Sequence, residues 1–437
     1  MAKARSVYSC SACGFESPRW LGRCPQCEAW NSFDERPMRV APLKRASRSA
    51  AISEPVLLSE IGKAGYARTS TGLHEFDAVL GGGIVPGSVT LIGGPPGAGK
   101  STLLLQVAAN LARSQGSVIY VCGEESAAQV RLRAERLGIA ADILVFAETN
   151  LREVLDRAEK MRPQTVIIDS IQTVWLPESE SYAGSVAQIR DCTQAAMEFA
   201  KRTGCAFFLV GHVTKDGAIA GPRLLEHLVD TVLYFEGEPS VDHRIVRAYK
   251  NRFGSIDEIC VFTMRAEGLR EVANPSELFL ANSKTRPSGS CIVAGIVGSR
   301  PVLIEVQALV GETSYGTARR LANNVDQARL AMIIAILERR AGLQLGAHDI
   351  YVSVAGGLRV VEPAADLGIA LAIASSFRNR ALPPESAAFG ELGLSGELRA
   401  VTGASRRVSE AAKHGYRTLF SPENCADITQ ALQTALS

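Results

Sequence analysis

Between about Leu58 and Glu271 the chain sets out five short β-rich runs: SVTLIG, SVIYVCG, TVIIDS, CAFFLVGH and DTVLYFEG. Near-continuous apolar runs of this length predict strands buried on both faces, the pattern of a parallel sheet rather than a half-solvated antiparallel one. The stretches between them, such as STLLLQVAANLARSQ and SVAQIRDCTQAAMEFAKRTG, space their apolar positions three and four apart and predict helices. Such alternation argues for a mostly parallel sheet carrying helices on its faces. After about Asn274 the texture changes to CIVAGIVGSRPVLIEVQALV, a long helix near 325–341 and Gly/Ala-rich segments, which predicts a separate α/β domain. The first thirty residues hold four cysteines, and the following stretch, rich in Arg, Lys, Ser and Pro without periodicity, reads as a flexible basic linker. The expected organisation is a cysteine-bearing finger over 1–30, the linker over 31–57, an ATPase-like domain over 58–271 and a second α/β domain over 272–437. No internal repeat is visible.

The chain has 437 residues. That length agrees with two or three domains, since single cores stop growing at about 300 residues. Hydrophobic residues make up 46% of the chain and charged residues 21%, an ordinary globular composition. With a net charge of only +2, any affinity for nucleic acid has to come from local basic surface. There is no apolar run of about 18 residues and no apolar signal core behind MAKARSVYSC, so a cytoplasmic protein that does not engage a membrane is expected. In that compartment the ten cysteines read as thiols or metal ligands rather than disulfides.

The first run leads into a phosphate loop. Gly94, Pro95, Pro96, Gly97, Ala98, Gly99, Lys100 and Ser101 fit G-x-x-x-x-G-K-[ST] in full, with Thr102 completing the nucleotide-binding stretch. The glycines let successive backbone N–H groups turn onto phosphates at a helix N-terminus. Lys100 is expected on the β- and γ-phosphates and Ser101 on Mg²⁺. Asp169 ends TVIIDS, where ligands bind in open parallel sheets, and is the candidate second magnesium residue; the alternative is a helix-capping Asp. SVIYVCG ends with Glu124 and Glu125. Of the two, Glu124 is the preferred candidate for orienting the attacking water, against the alternative of ordinary acids in a helix's first turn. His212 closes another strand, either as a γ-phosphate sensor or as a structural histidine.

Cys10, Cys13, Cys24 and Cys27 form C-x2-C, ten residues, C-x2-C, the spacing of two knuckles sharing one tetrahedral Zn²⁺. Four thiolates leave no open coordination position, so this site is expected to organise structure. Trp20 and Arg23 lie between the knuckles, facing a partner or covering the metal. The other six cysteines lack ligand spacing and read as core residues.

These pieces in this order resemble the RadA (Sms) family of bacterial DNA repair proteins over nearly the whole chain. The decisive stretch is YKNRFGS, with Lys250-Asn251-Arg252-Phe253-Gly254 about 150 residues after the phosphate loop; GHVTKDGAIAGPRLLEHLVDTVLYFEG is similarly family-like. The resemblance implies a RecA-type core that assembles into hexameric rings on single-stranded and branched DNA, similar in mechanism to the replicative helicase DnaB. It implies ATP bound between subunits, with Lys250 and Arg252 reaching a neighbour's γ-phosphate; the plain alternative is a basic turn that needs Gly254. It also implies single-stranded DNA contact by the loop Thr214–Arg223 through Lys215 and Arg223, with a solvated surface loop as the plain alternative, and branch migration together with the RecA recombinase.

From about residue 290 onwards, GGLRVVEPAADLGIALAIASS and GELGLSGELRAVTGASRRVSEAAKHGYRTLFSPEN resemble the proteolytic domain of Lon. A Lon peptidase needs a serine nucleophile and a lysine that sheds its proton. Here Asp366 falls at the serine position and Ser405 at the lysine position. No Ser lies between Val354 and Ala374, and no Lys between Lys284 and Lys413. Arg399, Arg406 and Arg407 cannot replace the lysine, because guanidinium stays protonated. The expectation is a Lon-like fold without peptidase activity that supports ring assembly and adds DNA contacts. Three readings compete: an ATP-driven DNA motor on recombination intermediates, which leads; an ATP-switched ring that binds DNA or RecA without unwinding; and a Lon-type protease, which the missing dyad opposes.

Overall fold

In the computed structural model, the described residues are 6–17, 19–37, 57, 67–114, 116–212, 224–236, 242–280, 286–313, 316–358, 360 and 362–437. The chain divides into two compact units. The first comprises residues 1–239, 244–256 and 264–270; the second comprises residues 240–243, 257–263 and 271–437.

At the N-terminus, β1 (Ser6–Cys10) pairs antiparallel with both β2 (Glu16–Ser17) and β3 (Phe33–Pro37). Strand β3 falls in the stretch read from sequence as linker. Its residues, FDERP, carry no apolar alternation, and Phe33 joins Cys10 and Cys24 in the small buried cluster, so the local pattern held no sign of a strand.

The main sheet of the first unit draws on β4 (Val89–Gly94), β5 (Val118–Cys122), β6 (Leu144–Phe146), β7 (Thr165–Asp169), β8 (Ala206–His212), β9 (Thr231–Glu236) and β10 (His243–Asn251). These seven run side by side in the order β10-β9-β4-β8-β7-β5-β6. All pairings are parallel except β9 with β10. β4 and β5 are buried along their whole length, as their apolar runs require. The connecting helices are α1 (His74–Val79), α2 (Lys100–Arg113), α3 (Ala127–Arg136), α4 (Leu151–Met161), α5 (Val186–Thr203) and the short α6 (Leu224–Leu228). Ser126, Asn150 and Ser185 cap α3, α4 and α5 by accepting first-turn backbone N–H groups, which fixes where each helix starts after its strand. Residues Ile259–Arg265 and Gly268–Glu271 form two further strands, β11 and β12.

The second unit is built on a sheet of six strands. They are β13 (Ser290–Val297), β14 (Arg300–Glu312), β15 (Arg320–Asn323), β16 (His348–Val354), β17 (Ser386–Ala388) and, last in the chain, Thr418–Phe420. Two helices matter below: Gln327–Arg340, which is the long helix expected near 325–341, and Asp366–Phe377, of which Asp366–Ser375 is buried. Among the described residues no helix is long and apolar enough to cross a membrane.

Candidate nucleotide site and metal centre

β4 delivers the phosphate loop, and α2 begins at Lys100 directly behind it. Gly99 sits at the N-cap with φ +111°, a conformation that a side chain disfavours. A Cβ there would also stand 2.9 Å from Met264 Cε. Lys100 is buried and donates from Nζ to the carbonyls of Gly94 at 2.7 Å and Pro95 at 2.9 Å. Burial lowers its pKa, while the negative charges of Asp169 and Glu124 act in the opposite sense, since opposite charge favours the ammonium form. The ammonium therefore feels both carboxylates, and the three residues belong to one site at the C-terminal ends of β4, β5 and β7. Behind the loop, the buried Arg244 donates from Nε to Ala98 O at 3.1 Å.

Each carboxylate has its own support. Glu124 is exposed, and its Oε1 accepts from Ser170 Oγ at 2.7 Å. Asp169 Oδ2 accepts from the Tyr120 hydroxyl at 2.6 Å. That hydroxyl in turn accepts from Arg133 Nη2 at 3.2 Å, and Arg133 is paired with Glu125 at 2.9 Å. So of the two neighbouring glutamates, Glu125 is engaged in the helix α3 pair and Glu124 is bonded to Ser170, the residue after Asp169. Burial raises the Tyr120 phenol well above its ordinary pKa, and Asp169 adds to the effect, so it remains a donor. Tyr120 and Arg133 were not singled out from sequence: in SVIYVCG a tyrosine reads as a β-former, and in AAQVRLRAER an arginine reads as solvated helix surface. Ser101 and Thr102 are half-buried in the first turn of α2. His212 ends β8, but its side chain lies outside the described residues, as do Lys215 and Arg223.

Lys250 and Arg252 end β10 and follow it. In the protomer Lys250 Nζ donates to the carbonyls of Glu226 at 2.8 Å, His227 at 3.2 Å and Val229 at 2.7 Å. Those carbonyls lie at the C-terminal end of α6, where a cation is favoured. Arg252 lies near Asp230 at 3.8 Å, with a side chain about half exposed. The turn after them meets another turn backbone to backbone: a Cβ on Gly254 would lie 2.6 Å from Gly81 Cα.

The four sulfurs of Cys10, Cys13, Cys24 and Cys27 lie within 4.8 Å of one another, with Cys10–Cys27 at 3.6 Å and Cys13–Cys24 at 3.4 Å. A tetrahedral ion with metal–sulfur bonds of about 2.3 Å needs sulfurs roughly 3.8 Å apart, so this donor set fits zinc. Trp20 is exposed; Arg23 is set over the ring of Trp30 and paired with Glu28. Cys122, Cys192, Cys205, Cys260, Cys291 and Cys425 are all buried.

In the second unit, the buried Asp366 is gripped by Arg329, through Nε and through Nη2 at 2.8 Å, and by the Leu392 N–H at 3.2 Å. Arg407 is buried and donates to Glu362 through both Nη atoms, at 3.0 Å and 2.6 Å, to Ala294 O at 2.8 Å and to Thr402 O at 3.1 Å. Arg406 reaches Ser299 O at 2.9 Å, Arg399 pairs with Glu397, and Ser405 is exposed.

Comparison with known proteins agrees along the chain. A rubredoxin metal-binding domain matches residues 8–35, an AAA domain matches 67–218, and the ChlI subunit of Mg-chelatase matches 304–425. The architecture is thus a four-cysteine ribbon, an AAA-type core on a mostly parallel sheet and a ChlI/Lon-like C-terminal domain. The chain is 50% identical to a DNA repair protein RadA of Halalkalibacterium halodurans, over 97% of this chain and 93% of that one. To the RadA of Bacillus subtilis it is 47% identical over all of both chains, and to that of Listeria monocytogenes 50% identical over 97% of this chain and 94% of that one. On this full-length likeness, the chain belongs to the RadA family of DNA repair proteins.

Proposed function

We propose that the protein is a DNA-dependent ATPase, a helicase-type motor that processes recombination intermediates and promotes branch migration in RecA-mediated strand exchange. The observation that carries this reading is the gathering of Lys100, Asp169 and Glu124 at the C-terminal ends of β4, β7 and β5, strands of one parallel sheet, at a complete phosphate loop. In this reading residues 94–102 cradle ATP, Lys100 neutralises the β- and γ-phosphates, and Ser101 and Asp169 hold Mg²⁺. Bound there, the magnesium would offset charge on the transferring phosphoryl group. Glu124, fixed by Ser170, orients the attacking water.

The remaining assignments extend the reading. The four cysteines hold Zn²⁺, closed to substrate. Six copies form a ring in the cytoplasm, with Lys250 and Arg252 completing the neighbour's site; the exposed Arg252 has the freer reach, while Lys250 must first leave the carbonyls at the end of α6. Lys215 and Arg223 contact single-stranded DNA. The Lon-like domain performs no peptide hydrolysis, which is supported by Asp366 at the serine position being tied to Arg329.

The test is ATP hydrolysis with and without single-stranded DNA, comparing the intact protein with Lys100→Ala. Hydrolysis stimulated by DNA and reduced about 10²–10³-fold in the variant is expected. Hydrolysis indifferent to DNA overturns the motor. Stimulation without strand displacement on a forked duplex instead makes the protein an ATP-driven switch.

A further inference from the structure

The strand SVIYVCG contains one residue out of keeping with its surroundings. β5 is buried along its length, and Tyr120 has no exposed surface at all. A fully buried phenol needs a hydrogen-bond partner, and valine or isoleucine would fill such a strand without that demand. The partner found is the Asp169 carboxylate. The register explains how they meet: Cys122 stands opposite Asp169 and Tyr120 opposite Ile167, so Tyr120 and Asp169 share one sheet face on a diagonal.

The direction of these bonds is set by chemistry. Guanidinium only donates, so the phenol oxygen accepts from Arg133. A phenol carries a single proton, and the carboxylate can only accept it. The chain therefore runs one way, Arg133 to Tyr120 to Asp169, and Glu125 neutralises the guanidinium at its start. Arg133 is almost enclosed, with a side chain 13% exposed, and its Nε is buried without a hydrogen-bond partner, so the group is held more by this chain than by solvent. Among the described residues no other group bonds the Asp169 side chain. One oxygen is fixed by the phenol, and the other takes no hydrogen bond from a described residue.

We propose that Tyr120, backed by Arg133 and Glu125, is the positioning residue that sets the Asp169 carboxylate for magnesium. The proposal rests on the assignment of Asp169 to the metal given above. Ligating carboxylates depend on such partners, and losing one costs on the order of 10–100-fold in metal affinity or activity. Glu124 accepts from a different residue, Ser170.

The experiment compares the intact protein with Tyr120→Phe and Arg133→Met, using Mn²⁺ as the probe. Electron paramagnetic resonance reads the binding of Mn²⁺ to the protein–ADP complex, and ADP binding is measured separately in EDTA. Tyr120→Phe keeps the ring and the packing, so ADP affinity in EDTA is expected to hold while Mn²⁺ binding weakens about ten-fold or more. kcat falls alongside, and added Mg²⁺ recovers part of it. Arg133→Met shifts Mn²⁺ binding the same way by less, and the double variant is no worse than Tyr120→Phe alone, since one chain is cut twice. Mn²⁺ affinity in Tyr120→Phe equal to that of the intact protein overturns the proposal; should that variant not fold, unchanged affinity in Arg133→Met does so. An intact protein that binds Mn²⁺ and ADP but hydrolyses no ATP would instead overturn the proposed function, leaving the positioning role to be judged on the binding data.

Discussion

The nucleotide site and the Lon-like domain both bury charge, and they do so to opposite ends. Around the phosphate loop each carboxylate accepts from a hydroxyl: Asp169 from Tyr120 and Glu124 from Ser170. In the second unit the charges are closed on themselves, with Asp366 taking three donors and Arg407 giving four bonds. A group that is to bind or react keeps part of its bonding capacity facing outward. A buried charge tied by several bonds to its own fold serves as an anchor, and on its own it is weak evidence of either stability or function.

The sharpest way to break this comparison is Glu124→Gln. If the Glu124 carboxylate orients water, the variant binds ATP as before and loses about 10²–10⁴-fold in kcat, measured under single turnover. Loss of binding with kcat preserved would make Glu124 part of the cradle instead. Next in size is Glu362→Ala, which leaves the Arg407 guanidinium buried beside two carbonyls and no counter-charge. The unfolding transition of the C-terminal domain, followed by hydrogen exchange, should lose about 3–5 kcal/mol. The smallest effect is expected where both partners go together. Asp366→Leu with Arg329→Met removes the pair and restores apolar volume, so stability should change by about 1 kcal/mol or less, or rise. A large loss there would show that the pair does more than fill its own space.

Legibility from sequence divides along the same line. The phosphate loop is written in consecutive residues, and the runs before and after it match β4 and α2, so spacing alone located Lys100 and Ser101. The four cysteines carry their geometry in their gaps. TVIIDS placed Asp169 at the end of a buried strand. What could not be read is the support. Tyr120 is 49 residues from Asp169, Arg329 is 37 from Asp366, and Glu362 is 45 from Arg407. Only the sheet order β7-β5 or the packing of a helix brings each pair together, and no local period encodes it. Lys250 shows the reverse case: a memorable pentapeptide marks it, yet its ammonium is engaged on carbonyls at the end of a five-residue helix.

The meeting of Gly254 with Gly81 has a mechanical consequence. The contact is backbone against backbone, with Arg68 Nη2 donating to Phe253 O at 2.8 Å and Asn251 Nδ2 donating to Val79 O at 3.2 Å on either side. A side chain at either glycine would have to displace the opposing main chain, so the segment carrying Arg252 can lie against the end of α1 only while both positions stay without a Cβ.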